Sequence, residues 1–292
     1  MKLRFTIALV LISIFSTQIV HAATDSFAGS RPFNVFVPST YNKADPLPLV
    51  IALSGYGQTG AQFESYLHLT SIAESSGFLY IHPDGTIDSF GARFWNATPE
   101  CCDFQKPPVN DAAYIMSIIK KVSAKYSVDR NRIYIIGHSN GGFMANALAC
   151  KYSSRIAAII NIAGGSFTST AACKASTPIN VLQIWGSKDD TYAYNHIRGK
   201  PIPGAEQTFA NWGSIEECST PAVELPDKLD LEPTIPGEET TVFQYQGCSG
   251  STSVDFWRVD GAGHSPVISK FFASEMIAWL MIHPKLASDP QP

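Results

Sequence analysis

Arg132-Ile133-Tyr134-Ile135-Ile136 runs into Gly137-His138-Ser139-Asn140-Gly141-Gly142-Phe143, an apolar run meeting a helical pattern across a Gly-rich corner. The first five residues read as a buried strand, and Gly142 to Tyr152 reads as a helix. Between them lies G-x-S-x-G. By itself that pattern occurs by chance in many chains, and an ordinary Gly-rich turn is the plainer alternative. At a strand-to-helix corner it becomes a nucleophile elbow, in which glycines allow a sharp turn that pushes the Ser139 hydroxyl above the sheet edge. The helix start behind it supplies backbone N–H groups and a positive dipole end.

Outward from this corner, Leu47–Leu53, Phe78–Ile81, Ala157–Ile162 and Ile179–Trp185 are further apolar runs bounded by turn residues. Their near-continuous apolar character is what parallel strands covered on both faces require. Gln62–Ser76 and Asp111–Tyr126 read as helices between them, Val254–Val259 as a late strand, and Lys270–Ile282 as a closing helix. The alternation predicts an α/β single domain with a mostly parallel central sheet and helices on both faces. Cys218–Thr240 departs from the pattern, with Pro221, Pro226, Pro233 and Pro236, six acidic residues and one Lys. It is expected to be an acidic surface loop, or a rim over a cleft, because so many prolines oppose both helix and central strand.

The 292 residues are 45% hydrophobic and 16% charged, which excludes a disordered tail or a charged coiled coil. A net charge of −4 offers no cationic face, so nucleic-acid binding through phosphates is not expected. Met1-Lys2-Leu3-Arg4, the apolar Phe5–Phe15 and Val20-His21-Ala22 have the form of a secretory signal peptide over residues 1–22. Residues 23–292 then form the domain, secreted to a periplasm or beyond the cell, with no later stretch apolar enough to hold it in a membrane. Six cysteines (Cys101, Cys102, Cys150, Cys173, Cys218 and Cys248) follow the leader, an even count that reads as disulfides in an exported chain. A zinc site is disfavoured, because no C-x-x-C pair or suitably spaced His is present.

A serine nucleophile needs a base, and the base an orienting carboxylate, in the chain order Ser, Asp or Glu, His for this fold. The run Val181–Trp185 ends at Gly186-Ser187-Lys188-Asp189-Asp190, and Val259 leads into Asp260-Gly261-Ala262-Gly263-His264. His264 is the expected base. His82 and His138 stand before or beside the serine, His196 follows the Asp loop too closely, and His68 and His283 fall on or past helices. Asp189 is the expected carboxylate, with Asp190 in reserve. Asn140 and Tyr56 are the expected backbone N–H donors of an oxyanion hole, Tyr56 from the loop Leu53-Ser54-Gly55-Tyr56-Gly57-Gln58. No metal or organic cofactor enters such chemistry.

With these residues assembled, the chain resembles the secreted poly(3-hydroxybutyrate) depolymerase and feruloyl esterase-like family of α/β-hydrolases. The likeness rests on Gly137–Cys150, on Phe94-Trp95-Asn96 followed by Cys101-Cys102 and Asp111, and on Phe209–Cys218 with Trp212. It implies a serine esterase with its triad on Ser139, Asp189 and His264, and pairing of Cys150 with Cys173 and Cys218 with Cys248. Cys101 and Cys102 would then bond to each other or stay free. The family's usual Leu-His-Gly is Leu53-Ser54-Gly55 here, its His-Gly-Thr is Trp185-Gly186-Ser187, and Pro266 takes the place of a common Trp. These changes fall on loops that line a cleft and so bear on substrate choice. The expected partner is an ester: feruloyl or acetyl groups of plant polysaccharide first, poly(3-hydroxybutyrate) second. An exported peptidase and a non-catalytic binding protein are the rivals from other classes. Trp95, Trp185 and Trp212 are the expected aromatic contacts to substrate, with Phe94, Tyr192 and Tyr194 on the same segments, although core packing is the common fate of such rings.

Overall fold

Apolar runs with residues alternating between two faces can bury both faces of a sheet, and this chain does so. The computed structural model describes residues 22–99, 101–102, 108–191, 194 and 202–285. Residues 1–21 of the expected leader, and Tyr192 and His196, lie outside them. In chain order the strands are β1 (Ala23–Phe27), β2 (Phe33–Val37), β3 (Leu47–Leu53), β4 (Leu79–Ile81), β5 (Thr86–Ile87) and β6 (Arg93–Phe94). They continue with β7 (Val128–His138), β8 (Ala158–Ile162), β9 (Asn180–Gly186), β10 (Ser219–Glu224), β11 (Thr240–Gln246) and β12 (Val254–Val259). The α-helices are α1 (Gly60–Leu67), α2 (Leu69–Ser76), α3 (Asp111–Lys125), α4 (Asn140–Tyr152), α5 (Ala205–Ile215) and α6 (Lys270–Met281).

Ten strands form one sheet in the order β1-β2-β4-β3-β7-β8-β9-β12-β11-β10, and β5 pairs with β6 as a separate hairpin. The six central strands are parallel, and the two outermost at each edge are joined on by antiparallel pairing. On β3, Leu49, Ile51 and Leu53 face the layer of α3, α4 and α5, while Val50 and Ala52 face α1, α2 and α6. β7 repeats the division with Ile133 and Ile135 against Tyr134 and Ile136. The corner at Ser139 therefore lies at the middle of the sheet, at the carboxyl ends of its parallel strands.

Two expectations are corrected. The helix expected over residues 62–76 is two helices, because His68 adopts a left-handed conformation (φ 56°) and starts a new axis. His68 N–H closes the first helix on the Glu64 carbonyl at 2.7 Å, and the Glu64 carboxylate receives Leu69 and Thr70 N–H at the start of the second. The acidic Pro-rich segment is not all surface loop, since Ser219–Glu224 pairs with β11 as an edge strand. Pro221 is compatible with that edge, where one side of the ladder needs no donors. Glu232 and Glu239 are buried rather than solvated. Glu239 Oε1 accepts Leu231 and Glu232 N–H and the Thr240 hydroxyl, while Oε2 is buried without a hydrogen-bond partner.

Cys150 is bonded to Cys173, Cys218 to Cys248, and Cys101 to its neighbour Cys102. The second of these ties the end of α5 to the turn after β11. No helix among the described residues is long and apolar enough to cross a membrane.

Candidate active site

The corner at Ser139 is tight because its backbone segments nearly touch. A methyl group on Gly137 would stand 2.1 Å from the Gly141 carbonyl oxygen, and one on Gly141 would stand 2.0 Å from that of Leu53. Ser139 takes φ 52° and ψ −118°, a conformation that L-residues rarely adopt and that the surroundings must hold in place. Its N–H donates to the Ile162 carbonyl of β8 at 2.8 Å, and its carbonyl accepts Phe143 N–H of α4 at 3.0 Å.

His264 meets it from the loop after β12. His264 Nε2 lies 2.9 Å from Ser139 Oγ, and His264 Nδ1 lies 2.8 Å from Asp189 Oδ2. With Nδ1 protonated towards the carboxylate, Nε2 is left to accept the serine proton. The Asp189 side chain has no exposed surface, and its Oδ1 accepts Thr191 N–H at 3.0 Å. Asp190, held in reserve on sequence grounds, is exposed. The loops carrying Asp189 and His264 are stitched together by main chain. Ser187 N–H donates to the Val259 carbonyl at 3.0 Å, and Lys188 N–H to that of Ala262 at 2.9 Å. A methyl on Gly186 would stand 2.2 Å from the Gly263 oxygen.

The loop that carries Tyr56 borders the serine on another side. A Cβ built on Gly55 would stand 3.4 Å from Ser139 Cβ. Gly57 N–H donates to the Arg93 carbonyl at 2.7 Å, and the Tyr56 hydroxyl donates to Asp88 at 2.6 Å. That bond raises the tyrosine pKa and lowers that of the carboxyl. Asp88 also accepts Phe90 and Ala92 N–H, so one carboxylate shapes the β5–β6 hairpin and fastens it to the loop. The hairpin leaves Phe90 76% exposed. Asn140 opens α4, where the N–H groups have no carbonyl one turn earlier to bond. Its side chain clasps the backbone of Trp95, accepting from the N–H at 2.7 Å and donating to the carbonyl at 2.9 Å.

The tryptophans expected to contact substrate do not line an open cleft. Trp95 and Trp185 have no accessible surface and Trp212 has 1%. Trp95 Nε1 donates to the Ser54 carbonyl at 3.0 Å and Trp212 Nε1 to Asn146 at 2.8 Å. Their large apolar rings belong to the layer beneath α3, α4 and α5, where burial is worth about 2–3 kcal/mol each. Phe94 is buried as well, and Tyr194 stacks on Phe256. Sequence reasoning passed over the Asn140 side chain, the Asp88 hairpin and His138. The alternation in Thr86–Phe94 is too short to announce a hairpin. Adjacency to the serine had argued against His138, yet its Nε2 reaches the His264 carbonyl at 3.2 Å.

The sequence model of the family described as esterase PHB depolymerase matches residues 32–199, more than half of the chain. Feruloyl esterase B of Piromyces equi is 27% identical over 245 residues, covering 80% of this chain and 42% of that protein. The bifunctional acetylxylan esterase/xylanase XynS20E of Neocallimastix patriciarum is 25% identical over 239 residues, covering 81% of this chain and 31% of that protein. The chain thus spans less than half the length of either relative. The solved acetyl xylan esterase from Aspergillus awamori superposes with a TM-score of 0.67 over 89% of this chain and 99% of that chain, at 15% identity, a likeness of fold. With its elbow at the centre of a mostly parallel sheet and that match behind it, the chain is an α/β-hydrolase and belongs to the esterase PHB depolymerase family.

Proposed function

We propose that the protein is an exported serine carboxylic-ester hydrolase, and that feruloyl or acetyl esters of plant polysaccharide are its substrates. The observation that carries this reading is the continuous line from Ser139 Oγ through the His264 ring to the buried Asp189 carboxylate, at 2.9 and 2.8 Å. In the proposed mechanism His264 accepts the serine proton as Oγ attacks the ester carbonyl. Asp189 fixes the imidazole tautomer and stabilises its cationic form. The N–H groups of Asn140 and Tyr56 receive the tetrahedral oxyanion, each such donor being worth about 3 kcal/mol. His264 then gives its proton to the departing alcohol, and water, deprotonated by the same ring, releases the acid from Ser139.

The names of the two relatives support the ester classes, and the leader-like residues 1–22 support export. A second reading, hydrolysis of poly(3-hydroxybutyrate) or its oligomers, is favoured by the family description. Purified protein lacking residues 1–22, assayed beside Ser139→Ala, decides between them. The panel holds p-nitrophenyl acetate, methyl ferulate, acetylated xylan, a hydroxybutyrate oligomer and a peptide amide. Ester turnover that disappears in Ser139→Ala is expected, with methyl ferulate or acetylated xylan preferred. Preference for the hydroxybutyrate oligomer would move the second reading to first place. Turnover of the amide alone would indicate a peptidase, and a folded protein inert to every ester and to a fluorophosphonate would indicate a binding protein.

A further inference from the structure

The base of a triad works along a fixed line, so something must hold the backbone that carries it. His264 sits in a stretch without regular structure between β12 and α6. Two side chains on other elements grip that stretch at His264 itself and at the two residues that follow it. His138 Nε2 lies 3.2 Å from the His264 carbonyl oxygen and 3.2 Å from Ser265 Oγ. The Tyr66 hydroxyl, on the last turn of α1, donates to the Pro266 carbonyl at 2.6 Å. The two grips are themselves in contact, since the His138 ring lies 5.5 Å from that of Tyr66 and 6.2 Å from that of Phe63.

A carbonyl oxygen only accepts, so His138 carries its proton on Nε2 and leaves Nδ1 bare. Nδ1 is buried without a hydrogen-bond partner and faces Gly55, where an added Cβ would stand 3.2 Å away. His138 therefore fills the space between the loop of the base and the loop of Tyr56. Its ring lies 5.2 Å from that of His264, close enough for a second positive charge to oppose the charge that the base acquires. Burial first, and the His264 ring next, hold the His138 pKa down to about 4. The charged partners facing it are His264 and Asp189, and the side chains packed on it from α1 are Phe63 and Tyr66. A neutral donor can thus hold the loop without competing for the proton.

We propose that His138 and Tyr66 are positioning residues, a two-point clamp that holds the His264–Pro266 backbone so that the imidazole stays in line between Ser139 and Asp189. The inference rests on the esterase reading given above. An ångström of misplacement at a reacting group can cost about 100-fold in rate. The test uses His138→Leu, His138→Asn, His138→Gln and Tyr66→Phe with p-nitrophenyl acetate, a substrate too small to report distant contacts. Gln places an N–H where His Nε2–H stood, whereas Asn is too short to do so.

The expected result is a kcat loss of about 10- to 100-fold in His138→Leu and His138→Asn, with KM changed less than about twofold. His138→Gln should recover kcat to within about threefold, and Tyr66→Phe should lose about 10-fold with the same unaltered KM. The rate of fluorophosphonate labelling of Ser139 should fall in parallel, because it too needs an aligned base. A His138→Leu variant with kcat within threefold of wild type, or Gln and Asn variants that fall equally, would overturn the proposal. If the leucine variant does not fold, an unchanged kcat in Tyr66→Phe overturns it. Persistence of turnover in Ser139→Ala would instead refute the esterase reading and leave the clamp a purely structural one.

Discussion

Asp189 and His264 reach Ser139 from loops joined to each other by several main-chain bonds, whereas the loop at Tyr56 has one main-chain bond to the β5–β6 hairpin, from Gly57 N–H to the Arg93 carbonyl, and is otherwise fastened by side chains. On the first side, Ser187 and Lys188 N–H bond to the carbonyls of Val259 and Ala262, and the two loops close to the contact limit at Gly186. On the second, Trp95 Nε1 holds Ser54, Asp88 holds Tyr56, and the Asn140 amide holds Trp95. The difference follows from the work each side would do. A ring that passes a proton along one line needs its backbone held in register, and a strand-end loop supplies that register from the sheet. A loop that offers an N–H can be set by a few side-chain fastenings, and those fastenings can vary without disturbing the sheet.

The largest test of this contrast is Asp189→Asn, which would lower kcat about 10,000-fold by reversing the imidazole tautomer. Asp190→Asn, on the exposed neighbour, would change it less than about twofold. Equal losses in stopped assays of the two variants would mean that the main-chain stitching does not single out one carboxylate. Asn140→Ala attacks the other side. It leaves the buried N–H and carbonyl of Trp95 unpaired, at a cost of about 2–5 kcal/mol in denaturant unfolding. An unchanged unfolding midpoint would show that the clasp is replaceable and the contrast shallow.

His138 lies between the two sides and gives a pH signature. Unfolded, it takes a proton near pH 6.5, and folded, near pH 4. Between those values the unfolded chain binds more protons, so this group's contribution to stability falls as the pH falls, by an amount on the order of 3 kcal/mol. Urea melts at pH 7 and pH 4.5 should show a smaller loss in His138→Gln than in wild type. Parallel slopes would place the histidine in contact with water. The smallest effect belongs to Tyr56→Phe, which removes the exposed bond to Asp88 while keeping the backbone N–H. Its kcat should stay within about twofold on p-nitrophenyl acetate, and a larger loss would show that the side-chain fastening matters as much as the main-chain one.

The central strands were legible because each is an apolar run between turn residues. β3 and β12 coincide with the expected Leu47–Leu53 and Val254–Val259, β4 and β8 differ by a residue at one end and β9 by a residue at each end, while β7 extends beyond the expected Arg132–Ile136 on both sides, to Val128–His138. The edge strands were not. β1 and β10 are mostly exposed, so their sequences carry no two-faced apolar signal, and pairing comes from the neighbours they meet. The break at His68 was passed over although the apolar face shifts there, from Phe63, Tyr66 and Leu67 to Leu69, Ile72 and Ala73. No Gly or Pro marks the turn, which is made by a left-handed backbone that the Glu64 carboxylate steadies. The three tryptophans were misread because their segments reach the site while their rings turn inward to the core.

The sequence by itself determined the sheet's central strands, the corner at Ser139 and the order of serine, carboxylate and histidine. These are local patterns: β-branched runs, glycines where a Cβ would strike backbone, and polar residues placed just after strands. Tertiary structure decided which of two adjacent carboxylates faces the imidazole, that Glu239 is buried among donors, and that Asn140, Asp88, Tyr66 and His138 fasten the loops around the serine. Those outcomes depend on groups that lie far apart along the chain. Tyr66 and Pro266 are 200 residues apart in sequence and 2.6 Å apart in space, so their bond exists only after the sheet has brought α1 and the loop after β12 to the same edge.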